Sequence, residues 1–313
     1  MHVKLWLALF AVLPLVAVSS GSSANAGAAS PPRNGLIAVV GENGLRIVDP
    51  QPGTAVLLPG GEKMSDPAWS PDGELLAVTR LNEESAAIYT VKPDGSNLEL
   101  VYQGALDPSW SPDGKWLAVV PSAYLDETAT LVLVKADGTE KREIRVKGAS
   151  TYIGRPQWSP DGKRIALVDD AGHIRLVTPD GETLAVYRDR EAGNLSWSPD
   201  SSLLAFDAFD ESGKTMRQII VVLDLATGKE TVLQGRYEGA GSPAWSPDGK
   251  QLAFISLSAQ TSAAMTGGCG GEHYASHLWT IAPDGTRAHR LVKGSYNGNP
   301  SWARSVEPGP PTD

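Results

Sequence analysis

The chain has 313 residues, of which 41% are hydrophobic, 36 are acidic and 27 are basic, so its formal net charge at neutral pH is −9. A net negative charge opposes binding to polyanions, and the composition therefore argues against a protein that binds nucleic acid or anionic membranes. Cys269 is the only cysteine. No internal disulfide can form, so a large hydrophobic core must stabilise the chain.

Residues 1–26 have the pattern of a secretory signal peptide. Lys4 gives a basic start, Leu5 to Val18 form an apolar stretch, and Ala24-Asn25-Ala26 fits a cleavage site for small residues. An uncleaved membrane anchor is the alternative, although such a stretch is short for crossing a bilayer. We predict a signal peptide, a linker at 27–33, and a periplasmic or secreted mature chain that does not insert into the membrane.

A tryptophan followed by Ser-Pro-Asp-Gly recurs along the rest of the chain. Successive copies are separated by 41, 48, 39, 48 and 57 residues, which is the period of propeller blades or solenoid repeats. Ser201 replaces the glycine in one copy, and the last copy stops after its tryptophan. An aromatic residue that recurs at one position of a repeat indicates core between blades, so we predict a structural role for all six. They are Trp69, Trp110, Trp158, Trp197, Trp245 and Trp302.

Each repeat predicts four antiparallel strands. A short strand ends at the tryptophan, and the Ser-Pro-Asp-Gly turn leads into an apolar strand such as Leu75-Leu76-Ala77-Val78. A third strand, such as Ile88-Tyr89-Thr90-Val91, ends at a second turn such as Pro93-Asp94-Gly95, and a fourth strand follows. Proline presets a turn torsion, aspartate hydrogen-bonds to nearby backbone and glycine accepts a left-handed conformation, so both turns are hairpin signals.

The two ends of the chain complement each other. Residues 35–58 contain a second, third and fourth strand without a leading tryptophan, whereas the segment around Trp302 supplies only a first strand. We therefore predict an all-β fold, a six-bladed β-propeller of four-stranded antiparallel blades over residues 34–303. N-terminal strands pair with the C-terminal strand in the sixth blade and close the ring. The proline-rich residues 304–313 predict a disordered tail.

The pattern Pro-x-Trp-Ser-Pro-Asp-Gly-x-x-Leu-Ala-Phe covers nearly all of the predicted mature chain and resembles the WD40-like repeat of the TolB-like six-bladed propellers. TolB itself carries an α/β domain before its propeller, whereas only residues 27–33 intervene here. The prolyl-oligopeptidase family attaches a hydrolase domain to a similar propeller, but this chain has no Gly-x-Ser-x-Gly motif. The resemblance implies a stand-alone propeller that takes part in protein interactions in the cell envelope.

Six polar residues stand three positions before the six tryptophans and form the predicted channel ring. By register they occupy the same place in every blade, at the start of the innermost strands, around the mouth of the central channel. Either they cap strand ends and hold water, or the two aspartates, opposed by the arginine, bind a small polar or cationic ligand or a partner's side chain. The channel ring consists of Asp66, Asp107, Arg155, Asn194, Ser242 and Asn299.

A glycine-rich insertion at 259–277 contains Cys269, His273 and His277 at spacings of four. This spacing matches no familiar zinc module, and ligands in a glycine-rich loop are weakly preorganised. These residues are therefore weak metal candidates, and we predict no metal and no cofactor.

The loops between second and third strands vary in length and lie on the face opposite the Ser-Pro-Asp-Gly turns. Rigid scaffolds usually place binding surfaces on such loops. We predict an exported, monomeric, non-catalytic binding module or scaffold whose partner is another envelope or extracellular protein. The alternative is an enzyme that acts at the mouth of the propeller, either a polysaccharide lyase or a hydrolase of small esters.

Overall fold

The structure is a computed structural model that describes residues 34–82, 85–122, 129–149, 152–210, 217–233, 238–257 and 276–305. The predicted signal peptide, the linker and residues 306–313 of the predicted tail lie outside this part of the chain. Across the described ranges, no helix has the length and apolar character needed to span a membrane.

The described residues form twenty-four β-strands and one short 3₁₀ helix. The first strands are β1 (Asn34–Gly41), β2 (Gly44–Asp49) and β3 (Thr54–Leu57), and the 3₁₀ helix Gly61–Lys63 follows them. Next come β4 (Met64–Trp69), β5 (Leu76–Leu81), β6 (Ala86–Val91), β7 (Glu99–Gln103), β8 (Ala105–Trp110), β9 (Trp116–Pro121), β10 (Thr130–Lys135) and β11 (Lys141–Arg145).

The second half of the chain continues the same pattern. Its strands are β12 (Ile153–Trp158), β13 (Ile165–Asp169), β14 (Ile174–Val177), β15 (Thr183–Tyr187), β16 (Ala192–Trp197), β17 (Leu203–Asp210), β18 (Arg217–Asp224), β19 (Glu230–Leu233), β20 (Glu238–Trp245), β21 (Leu252–Leu257), β22 (Ser276–Ile281), β23 (His289–Val292) and β24 (Tyr296–Arg304).

These strands form six antiparallel sheets of four strands, which confirms the predicted six-bladed propeller. Blades 1 to 5 each contain four consecutive strands, beginning with β4, β8, β12, β16 and β20, and blade 6 has the order β24-β1-β2-β3. The first strand of each blade contacts the first strands of both neighbours, and β24 contacts β4. The ring is therefore closed, with these six strands innermost.

Blade 6 joins the two ends of the chain as predicted. β24 pairs antiparallel with β1, and the register places Trp302 opposite Ile37 and Ser301 opposite Ala38. The Trp302 indole Nε1 also donates to the carbonyl oxygen of Gly35 at 3.1 Å. Because the first strand of this blade comes from the far end of the sequence, the ring has no open edge at the junction.

The hydrophobic core lies between the blades. Six buried clusters occupy the six blade interfaces of the described residues, and each contains one of the repeated tryptophans. Five of these side chains are buried, and Trp158 is half-buried. Three indoles also donate to the backbone of the preceding blade, namely Trp69 to Ser301 (3.2 Å), Trp110 to Ala68 (3.0 Å) and Trp197 to Gln157 (2.9 Å). The aromatic repeat thus both fills and cross-links the interfaces.

The Ser-Pro-Asp turns share one hydrogen-bonding pattern in all five copies. The serine hydroxyl donates to the aspartate Oδ1 at 2.5 to 2.7 Å, and the same oxygen accepts the backbone N–H two residues later. The glycines that follow have φ between 70° and 77°, a left-handed conformation that glycine adopts without strain. The local sequence therefore determines the hairpin.

Ser201 adopts this left-handed conformation without being glycine, with φ of 61°. Its buried hydroxyl accepts the backbone N–H of Asp161 in the neighbouring blade at 3.0 Å, and its carbonyl oxygen accepts Arg164 Nη2 at 2.7 Å. From the sequence alone, Ser201→Gly should relieve strain and slightly stabilise the protein. The structure adds an opposing effect, because glycine has no hydroxyl to accept the Asp161 N–H of the neighbouring blade.

We expect Ser201→Gly to change the free energy of unfolding by less than about 0.5 kcal/mol, because relief of about 1 kcal/mol of strain is offset by loss of one hydrogen bond. Ser201→Ala keeps the strain and loses the bond, so it should destabilise by about 1 kcal/mol. Urea unfolding of both variants measures the difference. Equal stability of the two variants would contradict the assignment of strain at this turn.

Candidate functional site

All six channel-ring residues line one central cavity of about 190 Å³. Sequence register placed them at the start of the innermost strands, but the structure places them further along. They are the third residue of the strand in blades 1 to 4, the fifth in β20 and the fourth in β24. The channel-ring residues therefore lie partway along the channel wall and not at its mouth. The other described residues that line the cavity also belong to the six innermost strands.

The backbone is unusual at the channel ring. Asp66, Asp107, Arg155, Ser242 and Asn299 all have φ between 49° and 55°, and register shifts accompany them in the pairing of the innermost strands with their neighbours. A left-handed conformation costs about 1–2 kcal/mol for a residue with a Cβ atom. Such outliers persist only where packing enforces them, and they concentrate at functional sites. The sequence contains no signal for this conformation at the arginine or the serine.

One half of the cavity is acidic. Asp66 Oδ1 accepts Asn299 Nδ2 at 2.6 Å, its Oδ2 accepts the Ser65 hydroxyl at 2.9 Å, and Asp107 Oδ2 accepts the backbone N–H of Arg155 at 3.3 Å. Within the described ranges, neither carboxylate and no nitrogen of the Arg155 side chain has an ion-pair partner within 4 Å. This half therefore carries two carboxylates without a bound counter-charge.

Burial first and the negative charge of Asp66 second raise the pKa of Asp107 from an ordinary 3.8 to about 6, against the opposing effects of the Arg155 backbone N–H and the Arg155 charge. Asp107 is therefore charged at neutral pH, and its charge lies in the same cavity as the Asp66 carboxylate. A cation beside Asp107 would offset the repulsion that raises its pKa.

The other half of the cavity is organised by a buried carboxylate that the sequence reading missed. Asp207 is 2% exposed and accepts the backbone N–H groups of Asn194 at 2.6 Å and Ser242 at 2.7 Å. It also accepts Asn194 Nδ2 at 3.1 Å and Gln218 Nε2 at 3.2 Å, and Asn194 Nδ2 donates to the Ser242 hydroxyl at 3.0 Å. The polar groups of this half are therefore occupied by one another.

A signal for Asp207 was present in the repeat. It follows Leu-Ala-Phe in the second strand, where the other blades have valine, isoleucine or Thr79. The hydroxyl of Thr79 in blade 1 accepts the backbone N–H of Asp107 in blade 2 at 3.2 Å. Asp207 in blade 4 accepts the backbone N–H of Ser242 in blade 5 in the equivalent way. A polar residue at this otherwise apolar position thus marks a contact with the channel ring of the next blade.

Asp107→Asn should stabilise the protein at pH 8 by about 1–3 kcal/mol, because a pKa raised by about two corresponds to about 3 kcal/mol of unfavourable interaction for the charged form. The folded state takes up the proton below about pH 6 and the unfolded chain only below about 3.8, so the advantage should fade between these values. Unfolding in urea at pH 8, 6 and 4 tests this, with exposed Glu99→Gln as the control. A constant difference across this range would contradict the assignment.

The weak metal candidates do not form a site that the structure describes. Cys269 and His273 lie outside the described residues, whereas His277 is buried in β22 with its Nδ1 2.9 Å from the carbonyl oxygen of Gly294. In the part of the chain that is described, no three histidine, cysteine or acidic side chains stand close enough to hold a metal ion. Among the described residues that line the central cavity there is no histidine.

Part of the chain, from blade 6 through blades 1, 2 and 3 into blade 4, matches a known family. The family described as the lipoprotein LpqB β-propeller domain matches residues 46–221, more than half of the chain. The chain belongs to this family. No curated protein matches it significantly in sequence.

Solved structures similar to this LpqB-type propeller include TolB from Acinetobacter baumannii, with a TM-score of 0.66 and 21% identity over 86% of this chain. The match spans 66% of that protein, just under two thirds of its length. The putative TolB from Agrobacterium tumefaciens has a TM-score of 0.59 and 20% identity, over 86% of this chain and 94% of that one. A chain of a nidogen/laminin complex has a TM-score of 0.60 and 13% identity, over 86% and 98% of the two chains. At these identities the likeness shows the fold alone.

The large exposed apolar side chains of this LpqB-type propeller, within the described ranges, lie on one face and along the outer strands. We define the loop face as the one that carries the connections between second and third strands. Leu81 at the end of β5 and Phe209 near the end of β17 lie there and are 52% and 53% exposed. The other large exposed apolar residues of the described ranges lie on or beside the outer strands, namely Val56, Leu98, Leu100 and Leu184. A second cavity of about 410 Å³ adjoins Leu81.

Proposed function

We propose that the chain is an exported, non-catalytic binding module or scaffold of the cell envelope or extracellular space, periplasmic or secreted, that binds a partner protein on its loop face. The observation that carries this proposal is the exposure of Leu81 and Phe209 on that face. Aromatic residues, phenylalanine included, are enriched at protein interfaces, and rigid scaffolds usually place binding residues on their loops. The two residues belong to blades 1 and 4, so one partner that contacts both would span the channel mouth.

The comparisons support this proposal at a coarser level. The matching family is described as a lipoprotein propeller, and two of the similar structures are TolB proteins. The predicted signal peptide at 1–26 agrees with export, and the net negative charge favours a soluble protein without affinity for nucleic acid. The alternative of an enzyme at the propeller mouth gains no support from a histidine, since none is among the described residues that line the cavity.

Capture experiments test the loop face. The protein without residues 1–26 is immobilised, and proteins of the envelope and extracellular fractions of the source cells are captured and quantified. Leu81→Ser/Phe209→Ser should reduce capture of the specific partner about tenfold or more, because interface anchors contribute about 1–2 kcal/mol or more each. Val56→Ser/Leu184→Ser changes the same amount of exposed apolar surface on the outer strands and should capture as the wild type does.

All of these variants alter exposed side chains, so their melting temperatures should match that of the unaltered protein. Equal capture by both double variants would reject the loop face as the binding surface. Equal loss in both would indicate non-specific adsorption to apolar surface, and would also count against the proposal.

A further inference from the structure

We propose that the central cavity is a socket for one primary ammonium group, supplied by a lysine side chain or the amino terminus of a partner protein. This inference rests on the proposed function, because it names the chemistry by which a partner on the loop face would engage the channel. It goes further because it names the class of ligand, the atoms that bind it, and whether each charged residue strengthens or weakens that binding.

The charge distribution of the acidic half favours a cation. The charge of Asp66 raises the pKa of Asp107 more than the charge of Arg155 lowers it, and within the described ranges neither carboxylate has a basic side chain within 4 Å. A positive group between them would replace a repulsion with two attractions in a partly dehydrated site, where charge–charge interactions are stronger than in water. The socket is therefore built for a positive ligand.

The available acceptors suit an ammonium group. An ammonium group has three N–H donors and no acceptor. The acidic half offers two carboxylates and the side-chain oxygen of Asn299 as acceptors. The side-chain nitrogen of Asn299 already donates to Asp66, which leaves the oxygen of the same amide to accept. Calcium requires six to eight oxygen ligands. Two carboxylates and one amide supply at most five side-chain oxygens, so this half alone does not complete a calcium shell.

The volume of the cavity and the charge of Arg155 also favour a single ammonium group as the ligand. A volume of 190 Å³ corresponds to about six waters of the liquid, which accommodates the end of one side chain but not a folded segment. Arg155 lines the same cavity and donates its backbone N–H to Asp107. Two carboxylates and one guanidinium leave a net charge of −1 in the cavity, which one singly charged ligand neutralises and a divalent ion would exceed.

Among the described residues, the charged groups that act on Asp107 are Asp66 on β4 and Arg155 on β12. Asp207 on β17 is held by Asn194 and Ser242 of the other half of the cavity. Because the pKa of Asp107 is raised to about 6, protonation below this value removes one of the two charges that hold the ligand. Binding should therefore weaken as the pH falls from 7.5 to 5. A lysine side chain or an alkylammonium probe keeps its charge over this range, whereas an α-amino group, with a pKa of about 7.7–8.0, gains charge as the pH falls below 7.5.

The test uses n-butylammonium chloride as the probe, titrated into the protein without residues 1–26 at constant ionic strength and followed by NMR chemical shifts. Saturable binding is expected at pH 7.5, and 1-butanol at the same concentration should not bind. Asp66→Asn and Asp107→Asn should each weaken binding about tenfold, which is the effect of losing one close charge contact. Arg155→Gln should strengthen it about threefold or more. Glu74→Gln/Glu99→Gln removes two exposed acidic charges elsewhere and should leave binding unchanged.

Calcium chloride and two further probes complete the experiment. Nα-acetyl-lysine methylamide presents only a side-chain ammonium and glycinamide only a main-chain one, so their relative affinities identify which source fits. Tighter binding of calcium than of every ammonium probe would overturn the proposal, as would equal affinities in wild type and Asp107→Asn. Asp107→Asn is expected to be at least as stable as wild type, so its loss of binding cannot come from unfolding.

The two proposals fail in different ways. If no ammonium probe binds but Leu81→Ser/Phe209→Ser still loses the captured partner, the socket is rejected and the loop face stands. If the probes bind as expected but loop-face variants capture normally, the socket stands as a ligand site and the proposed docking surface is rejected.

Discussion

A chain that ends at Gly298 should lose cooperative unfolding, whereas one that ends at Ser305 should melt as the full-length protein does. Ending at Gly298 removes the part of β24 that pairs with Ile37 and Ala38, together with Trp302 from the interface between blades 5 and 6. It also removes the Ser301 carbonyl oxygen that accepts the Trp69 indole. Deleting a buried tryptophan side chain alone costs about 3–5 kcal/mol, and the lost strand pairing adds to this a large share of a typical domain's 5–15 kcal/mol.

Circular dichroism melts of the two truncated chains provide the measurement. Trp302→Ala in the full-length chain is the intermediate case, because it keeps the strand and removes the side chain, and it should lower the free energy of unfolding by about 3–5 kcal/mol. If the chain ending at Gly298 melts within a few degrees of the full-length protein, closure of blade 6 does not hold the ring together.

Asp207→Ala should destabilise the protein by about 3–5 kcal/mol, because it leaves two backbone N–H groups and two side-chain amides without their acceptor. Asp207→Asn keeps the size of the side chain but turns one acceptor into a donor that faces other donors, so about 2 kcal/mol is expected. Denaturant unfolding at pH 7.5 gives both values.

Thr79→Val is the matched control, since Thr79 occupies the equivalent strand position in blade 1 and makes a single bond of this type, to Asp107. Valine is the residue found there in three other blades, and the cost should be about 1 kcal/mol. If Asp207→Ala costs no more than Thr79→Val, the buried carboxylate does not organise its half of the channel.

Much of the fold could be predicted because the repeated turn motifs form through contacts within their own few residues. Ser70 and Asp72 hydrogen-bond within their own turn, and Gly73 supplies the left-handed residue that follows. None of these contacts depends on another blade, so reading each copy separately predicted the right strands. Counting the copies and finding three strands at one end and one at the other was enough to predict closure through Trp302.

Register along the repeat also predicted which side chains share the central cavity, because equivalent positions of a closed ring face the same axis. It did not predict their conformation. Arg155 and Ser242 have no preference for a left-handed backbone, and they adopt one because the bulges of the innermost strands impose it. The indole of Trp158 likewise bonds within its own turn, to Gly162, instead of to the preceding blade.

The amino-acid sequence by itself determined the turns, the strands, the number of blades and the set of residues around the channel, since each follows from short-range chemistry repeated six times. Only the tertiary structure decided the chemistry of the cavity. The pKa of Asp107 depends on burial and on Asp66, a residue of another blade, and Asp207 acts through backbone groups of blades 4 and 5 together. Burial and charge proximity are properties of the closed ring, so no single repeat contains them.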